Sequence, residues 1–168
     1  GPCNRMAHAA AQAISDLPGR ASNPLFIHAG VGLGKSHLMQ AICHKVRAHR
    51  PDVSMMYVSC EDFVNQFIAS IESGQIEEFR YRFRYLDLLV IDDIHFLADK
   101  ERTQEEFFHT FNTLYQSQKQ VVLSSDSPPH EIPLLEERLV SRFKWGLVVR
   151  IDRPSFETRV AIVQKKSK

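Results

Sequence analysis

Five short apolar runs punctuate the chain: Leu25–His28, Ser54–Ser59, Leu86–Ile91, Gln120–Ser124 and Leu147–Ile151. Each is strand-sized and bounded by turn-forming residues, so each predicts a β-strand. The run at Leu86–Ile91, nearly continuous, reads as a strand covered on both faces. Between the runs the period changes. Residues 4–16 form an alanine-rich helix ended by Leu17-Pro18-Gly19, and a second helix spans about Lys35 to Ala48. In the excursion at 61–84, Phe63, Phe67, Ile68 and Ile71 recur at helical spacing, Gly74 interrupts, and Ile76–Arg84 continues. Glu101–Gln116 sets Phe107, Phe108, Phe111 and Leu114 on one side; Leu134–Arg142 predicts a short helix, and a last helix begins after Pro154. This alternation predicts an α/β fold, a five-stranded parallel sheet flanked by helices on both faces. Ligands in such sheets bind at the carboxyl ends of the strands.

Composition narrows the function classes. The 168 residues, 43% hydrophobic and 24% charged, are ordinary for one soluble domain. A formal net charge of +1 gives no global argument for nucleic acid or membranes, so any nucleic-acid contact rests on a local patch. Cys3, Cys43 and Cys60 are odd in number and lack a C-x-x-C pair, which argues against a disulfide framework or zinc site and for a reducing cytoplasm. His44 and His49, five apart, fall on different helical faces and read as surface residues. No apolar run approaches the ~20 residues of a membrane span, and no signal segment opens the chain. Gly1-Pro2 is either native or a cleavage scar.

The first apolar run leads into Ala29-Gly30-Val31-Gly32-Leu33-Gly34-Lys35-Ser36, which matches G-x-x-x-x-G-K-[ST] except at its first position. Glycines let successive backbone N–H groups curl around phosphate oxygens, and the following helix points its N-terminus at the same charge. Gly30, Gly32, Leu33, Gly34, Lys35, Ser36 and His37 are thus the candidate nucleotide contacts. Lys35 would reach the β- and γ-phosphates of ATP or ADP, and the Ser36 hydroxyl would ligate Mg²⁺. Alanine fits at position 29 only if its φ stays negative.

The third run ends in Asp92-Asp93. A buried strand delivers such acids to the metal held by Ser36: Asp92 would hold Mg²⁺ and Asp93 would orient or deprotonate the attacking water. An Asp-Asp after a strand is also a common helix-capping cluster, and only the phosphate loop about sixty residues earlier favours the metal role. At the end of the fourth run, Asp126 or Ser125 would sense the γ-phosphate, or Asp126 is a turn residue before Pro128. Arg138 and Arg142 lie on one helical face. They read either as fingers for a neighbour's γ-phosphate or as members of intramolecular ion pairs.

Together these stretches resemble the bacterial chromosomal replication initiators, the DnaA family, in the nucleotide-binding part of their AAA+ domain. The likeness runs through essentially all 168 residues, through Asn23–Leu38, Asp87–Phe96, Lys100–Leu114, Leu123–Pro129 and Glu136–Leu147 with its Arg-Phe-x-Trp-Gly-Leu run. It implies a P-loop NTPase that binds ATP, hydrolyses it slowly and assembles with ATP into a helical oligomer on origin DNA. It implies Arg142 as an arginine finger acting in trans with Arg138 in support, Asp126 as the first sensor, and Glu61 as a residue linked to hydrolysis. The excursion at 61–84 corresponds to the family's helical initiator-specific insertion, and Ile68, Lys100 and Arg102 to its single-stranded-DNA contacts. Taken alone, Lys100 and Arg102 are two basic residues beside a helix start that solvent would also satisfy. Ala29 and Ser36 stand where the family usually has Gly and Thr. The family's lid, its duplex-reading helix-turn-helix and its helicase-contacting domain are expected outside 1–168. A regulatory paralogue or helicase loader on the same scaffold is the alternative. A small-molecule P-loop kinase would need an acceptor region and arginine lid that the sequence does not offer.

Overall fold

Leu88–Asp92 (β3) is buried along its whole length, and the sheet forms around it and the equally buried Gln120–Ser125 (β4). A computed structural model describes residues 2–16, 18–20, 22–30 and 34–152. Leu25–His28 (β1), Met55–Ser59 (β2) and Leu147–Arg150 (β5) complete a five-stranded sheet ordered β2-β3-β4-β1-β5, parallel throughout. The helices are Pro2–Asp16 (α1), Lys35–His49 (α2), Cys60–Glu72 (α3), Ile76–Arg84 (α4), Glu101–Gln116 (α5) and Glu137–Phe143 (α6). The predicted fold class is the observed one.

Strand alternation sorts the core into two layers. Leu25, Ile27, Leu88, Val90 and Val122 meet Ile14 of α1 and Met39, Ile42 and Val46 of α2 on one face. Phe26, Leu89, Ile91, Val121 and Leu123 meet the other, where Phe63, Phe79, Phe83, Phe107, Phe111 and Phe143 are essentially fully buried. The Phe63 ring lies 5.0 Å from Phe83, 5.3 Å from Phe79 and 5.8 Å from Phe107, so the phenylalanines of the stripe read on α3 bind it to α4 and α5, while its Ile68 and Ile71 stay exposed. Each such ring contributes about 1.5–3 kcal/mol by burial. Gly74, at φ +71, turns the chain between α3 and α4.

Three of the boundaries that differ from the sequence pattern do so for local reasons. The helical excursion starts at Cys60, because the Ser59 hydroxyl caps it by accepting from the Asp62 N–H (3.1 Å). The third strand begins at Leu88, because the Asp87 carboxylate is turned to the Ser54 N–H and hydroxyl and to Lys119. The helix expected from Leu134 begins at Glu137: Leu134 has φ +55, and Gln104 ties down the segment by donating to the Leu134 carbonyl and accepting from the Glu136 N–H. A 3₁₀ helix at Ile94–Leu97, which the pattern did not predict, follows β3. The helix expected after Pro154 lies outside the described residues, as does Val31–Leu33. Among the described residues no helix is long and apolar enough to cross a membrane.

A candidate nucleotide site and a second cleft

β1 ends at His28, and Ala29 docks onto the tip of β4 through its N–H, which donates to the Ser125 carbonyl (3.1 Å). Ala29 is buried and not among the positive-φ residues, as its place in the loop requires. The loop returns at Gly34, whose φ of +89 turns the chain into α2. No side chain caps α2 and its first turn holds no acid, so its leading backbone N–H groups are left for an anion. A cleft of about 550 Å³ opens there, lined by Gly34, Lys35, Ser36, His37, Asp93, His95 and Asp126. Gly30 is exposed beside it, and Gly32 and Leu33 lie outside the described residues.

The acids of β3 converge on the same place. Lys35 Nζ donates to Asp93 Oδ1 at 2.7 Å, with Lys35 well buried. The Ser36 hydroxyl donates to Asp92 Oδ2 at 2.7 Å, the Tyr57 hydroxyl donates to the same oxygen at 2.9 Å, and the Ser124 hydroxyl donates to Asp92 Oδ1. Burial alone would raise the Asp92 carboxyl, but the hydroxyls of Ser124, Ser36 and Tyr57 and the charge of Lys35 outweigh it and hold the group below its ordinary value. Burial and the bond to Asp92 push the Tyr57 phenol up, keeping it a donor. Asp93 occupies the cap position of the 3₁₀ helix in the left-handed region (φ +58) but makes no side-chain capping bond. The capping alternative therefore fails for Asp93, whose carboxylate faces Lys35 instead. A hydroxyl and an ionised carboxylate side by side form an oxygen donor set suited to a hard divalent cation.

Three participants carried no local signal in the sequence. Tyr57 reaches Asp92 from the neighbouring strand, where Ser59 pairs with Asp92 in register. Ser124 hides in an unbroken buried strand, and its hydroxyl also accepts the Asp93 N–H (2.9 Å). His95 rides on the unpredicted 3₁₀ helix. Only the sheet register could have exposed the first two. Glu61 is exposed, two residues beyond Ser59, and does not line the cleft. Nucleophilic chemistry has no support at Cys60 or Cys43: burial pushes the Cys60 thiol up to about 12 and Cys43 up to about 11.

A second cleft of about 550 Å³ lies between α3 and the start of α5. It brings Ile68, Lys100 and Arg102 together, residues separated by up to a third helix in the chain, with Phe67, Ile71 and the acids Glu72, Asp99 and Glu101 around them. Ile68 is 46% exposed and Ile71 beside it 37%. On α6, Arg138 pairs with Glu136 (2.7 Å) and lies over the Phe108 ring. Arg142 donates to Asn112 Oδ1 (3.2 Å), stacks 3.9 Å from the Trp145 ring centroid and makes no ion pair with a described residue. The two arginines thus part ways: one is ion-paired, the other held by π-faces and an amide.

A model of the bacterial DnaA ATPase domain matches residues 1–150. The chain belongs to that family. It is 57% identical over 167 residues to the chromosomal replication initiator protein DnaA of Thermoanaerobacter sp. (strain X514), covering 99% of this chain and 38% of that protein. Domain III of the Thermotoga maritima replication initiation protein DnaA matches with a TM-score of 0.92 at 46% identity, over 98% of this chain and 69% of that one. A solved replication initiator DnaA bound to AMPPCP and single-stranded DNA matches with a TM-score of 0.91 at 40% identity, over 99% and 51%. A DnaC helicase loader shares the fold alone, at 15% identity with a TM-score of 0.76, over 90% of this chain and 92% of the loader. The chain therefore spans well under half of the DnaA relative it matches in sequence.

Proposed function

We propose that this chain is the ATP-binding core of a bacterial replication initiator. The observation that carries the reading is the meeting of Lys35 with Asp93 and of Ser36 with Asp92, at 2.7 Å each, at the mouth of one cleft. Lys35 leaves Asp93 for the β- and γ-phosphates of ATP, and the N-terminal amides of α2 hold the remaining oxygens. Ser36 and Asp92 would hold Mg²⁺, which would supply charge neutralisation at the phosphates. Asp93, freed of the lysine, orients the attacking water; its carboxylate is one methylene shorter than glutamate, which fits slow hydrolysis. Asp126, on the cleft wall, senses the terminal phosphate. Glu61, further out, supports hydrolysis from the start of α3. Arg142 stands clear of its own chain's cleft and serves a neighbour's γ-phosphate, with Arg138 beside it, in an ATP-dependent helical oligomer on origin DNA in the cytoplasm. The cleft at Ile68, Lys100 and Arg102 takes single-stranded DNA. Two cations are too few for tight binding by one subunit, so a row of subunits supplies the affinity. Regulators of replication would act on the same assembly.

The test is nucleotide titration of the chain with Lys35→Ala. ATP and ADP affinity should fall by a hundredfold or more, on the order of 3 kcal/mol for losing a buried charge on phosphate. Unchanged affinity would remove the phosphate-loop role. The helicase-loader reading is weaker, since the loader shares only the fold at 15% identity.

A further inference from the structure

His95 lines the nucleotide cleft beside Lys35, Asp93 and Asp126, and the reading above gives it no part. Its 3₁₀ helix is anchored by Ile94 and Leu97, both fully buried, and its ring stacks on Phe96 with centroids 5.2 Å apart. Nδ1 accepts the backbone N–H of Asp126 (3.4 Å) and lies 3.3 Å from the Ser125 hydroxyl. Asp126 Oδ1, also 3.4 Å from Nδ1, is served instead by the hydroxyls of Ser125 and Ser127. An imidazole nitrogen that accepts a backbone N–H carries no proton, so in the neutral ring the proton sits on Nε2. Nε2 makes no hydrogen bond with a described residue. In that tautomer Nε2 is a donor in a cleft whose lining includes the carboxylates of Asp93 and Asp126 as well as Lys35.

We propose that His95 reads the terminal phosphate: its Nε2–H donates to an oxygen that a nucleoside triphosphate has and a diphosphate lacks, and so sets the preference between the two. The inference rests on the nucleotide reading of the cleft. Two carboxylates repel an incoming phosphate, and a donor beside them offsets that repulsion without consuming the charge of Lys35. The Asp126 N–H fixes which nitrogen bears the proton. Because β4 and β1 are paired and the Ala29 N–H holds the tip of β4, the donor is registered to the phosphate loop itself.

The experiment titrates the chain with Mg²⁺ and either AMPPCP or ADP, by calorimetry. His95→Phe keeps a ring stacked on Phe96 and removes both nitrogens. AMPPCP affinity should fall roughly tenfold while ADP affinity moves less than about twofold. His95→Gln restores most of the ratio, because its amide oxygen can accept the Asp126 N–H while its amide nitrogen donates. His95→Leu is neutral, neither accepts nor donates and should lose the ratio, so the Gln/Leu pair decides the matter if the Phe variant does not fold. A ratio unchanged in His95→Phe, equal losses for both nucleotides, equal behaviour of Gln and Leu, or a wild-type chain indifferent between the nucleotides overturns the proposal. Binding of neither nucleotide by wild type overturns the underlying site reading as well, and a Lys35→Ala control tells these failures apart.

Discussion

Asp87 is a connecting residue between α4 and β3, yet its carboxylate accepts from the Ser54 N–H (3.0 Å), the Ser54 hydroxyl (3.1 Å) and Lys119 (2.8 Å), joining the beginnings of β2, β3 and β4. Lys119 and Ser54 hold its carboxyl below the ordinary value against a smaller opposing effect of burial. A carboxyl that titrates lower folded than unfolded stabilises the fold above the unfolded value, and that contribution disappears as pH falls through the folded one. The pair is partly exposed, so Asp87→Asn should cost only about 0.5–1 kcal/mol at neutral pH. The cost should shrink once pH drops below ~3.9, which urea denaturation at the two pH values measures. An equal cost at both would mean that the charge is not what stabilises. The same residue shows where local pattern ends. Phosphate-loop residues and Asp92-Asp93 were legible because their chemistry is written in adjacent positions. Tyr57 and Ser124 were not, because what makes them partners of Asp92 is strand register, set by residues far along the chain.

At the scale of elements, α4 is fastened to α5 by one buried carboxylate. Glu106, 4% exposed, accepts from Arg80 (3.1 and 3.2 Å) and from Arg84 (2.6 Å), and the bond to Glu106 raises the Arg80 guanidinium further. In sequence Glu106 is one acid in a polar stretch of an amphipathic helix, and nothing distinguishes it from its exposed neighbour Glu105. Phe107 and Phe111, by contrast, announced their buried face by spacing alone. Replacing Glu106 with Ala leaves two arginines without their partner, but both reach solvent, so the expected loss is about 1–2 kcal/mol rather than the larger cost of a sealed pair. Hydrogen exchange should accelerate first in the α4 amides. Uniform acceleration through the sheet would show that α4 is not a separately held unit. Glu106→Gln, which keeps the shape and one acceptor oxygen, should lose less.

For the whole molecule, the decisive arrangement is that Arg142 and Lys35 belong to different surfaces. Arg142 is engaged by Asn112, Phe108 and Trp145, none of which lines the nucleotide cleft. A cation of one subunit that completes the cleft of the next defines a head-to-tail contact, which repeats without closing unless the rotation happens to return. Arg142→Ala in a full-length initiator should therefore leave ATP affinity within about twofold and reduce ATP-dependent assembly at least tenfold by sedimentation, corresponding to roughly 1.4 kcal/mol or more. Normal assembly would remove the trans role. The alternation of strands and helices made the two-layered architecture readable from the outset, whereas the division of labour between Arg138 and Arg142 depended on which aromatic faces α5 and Trp145 present.

The Ser124 hydroxyl has a mechanical consequence. The same oxygen gives its proton to Asp92 and takes the N–H of Asp93, so the tip of β4 grips both acids through a single atom. A displacement of that tip by a fraction of an ångström, driven from Asp126 two residues on, would shift both residues together, so that an occupant of the cleft would be felt at Asp92 and at Asp93 at once.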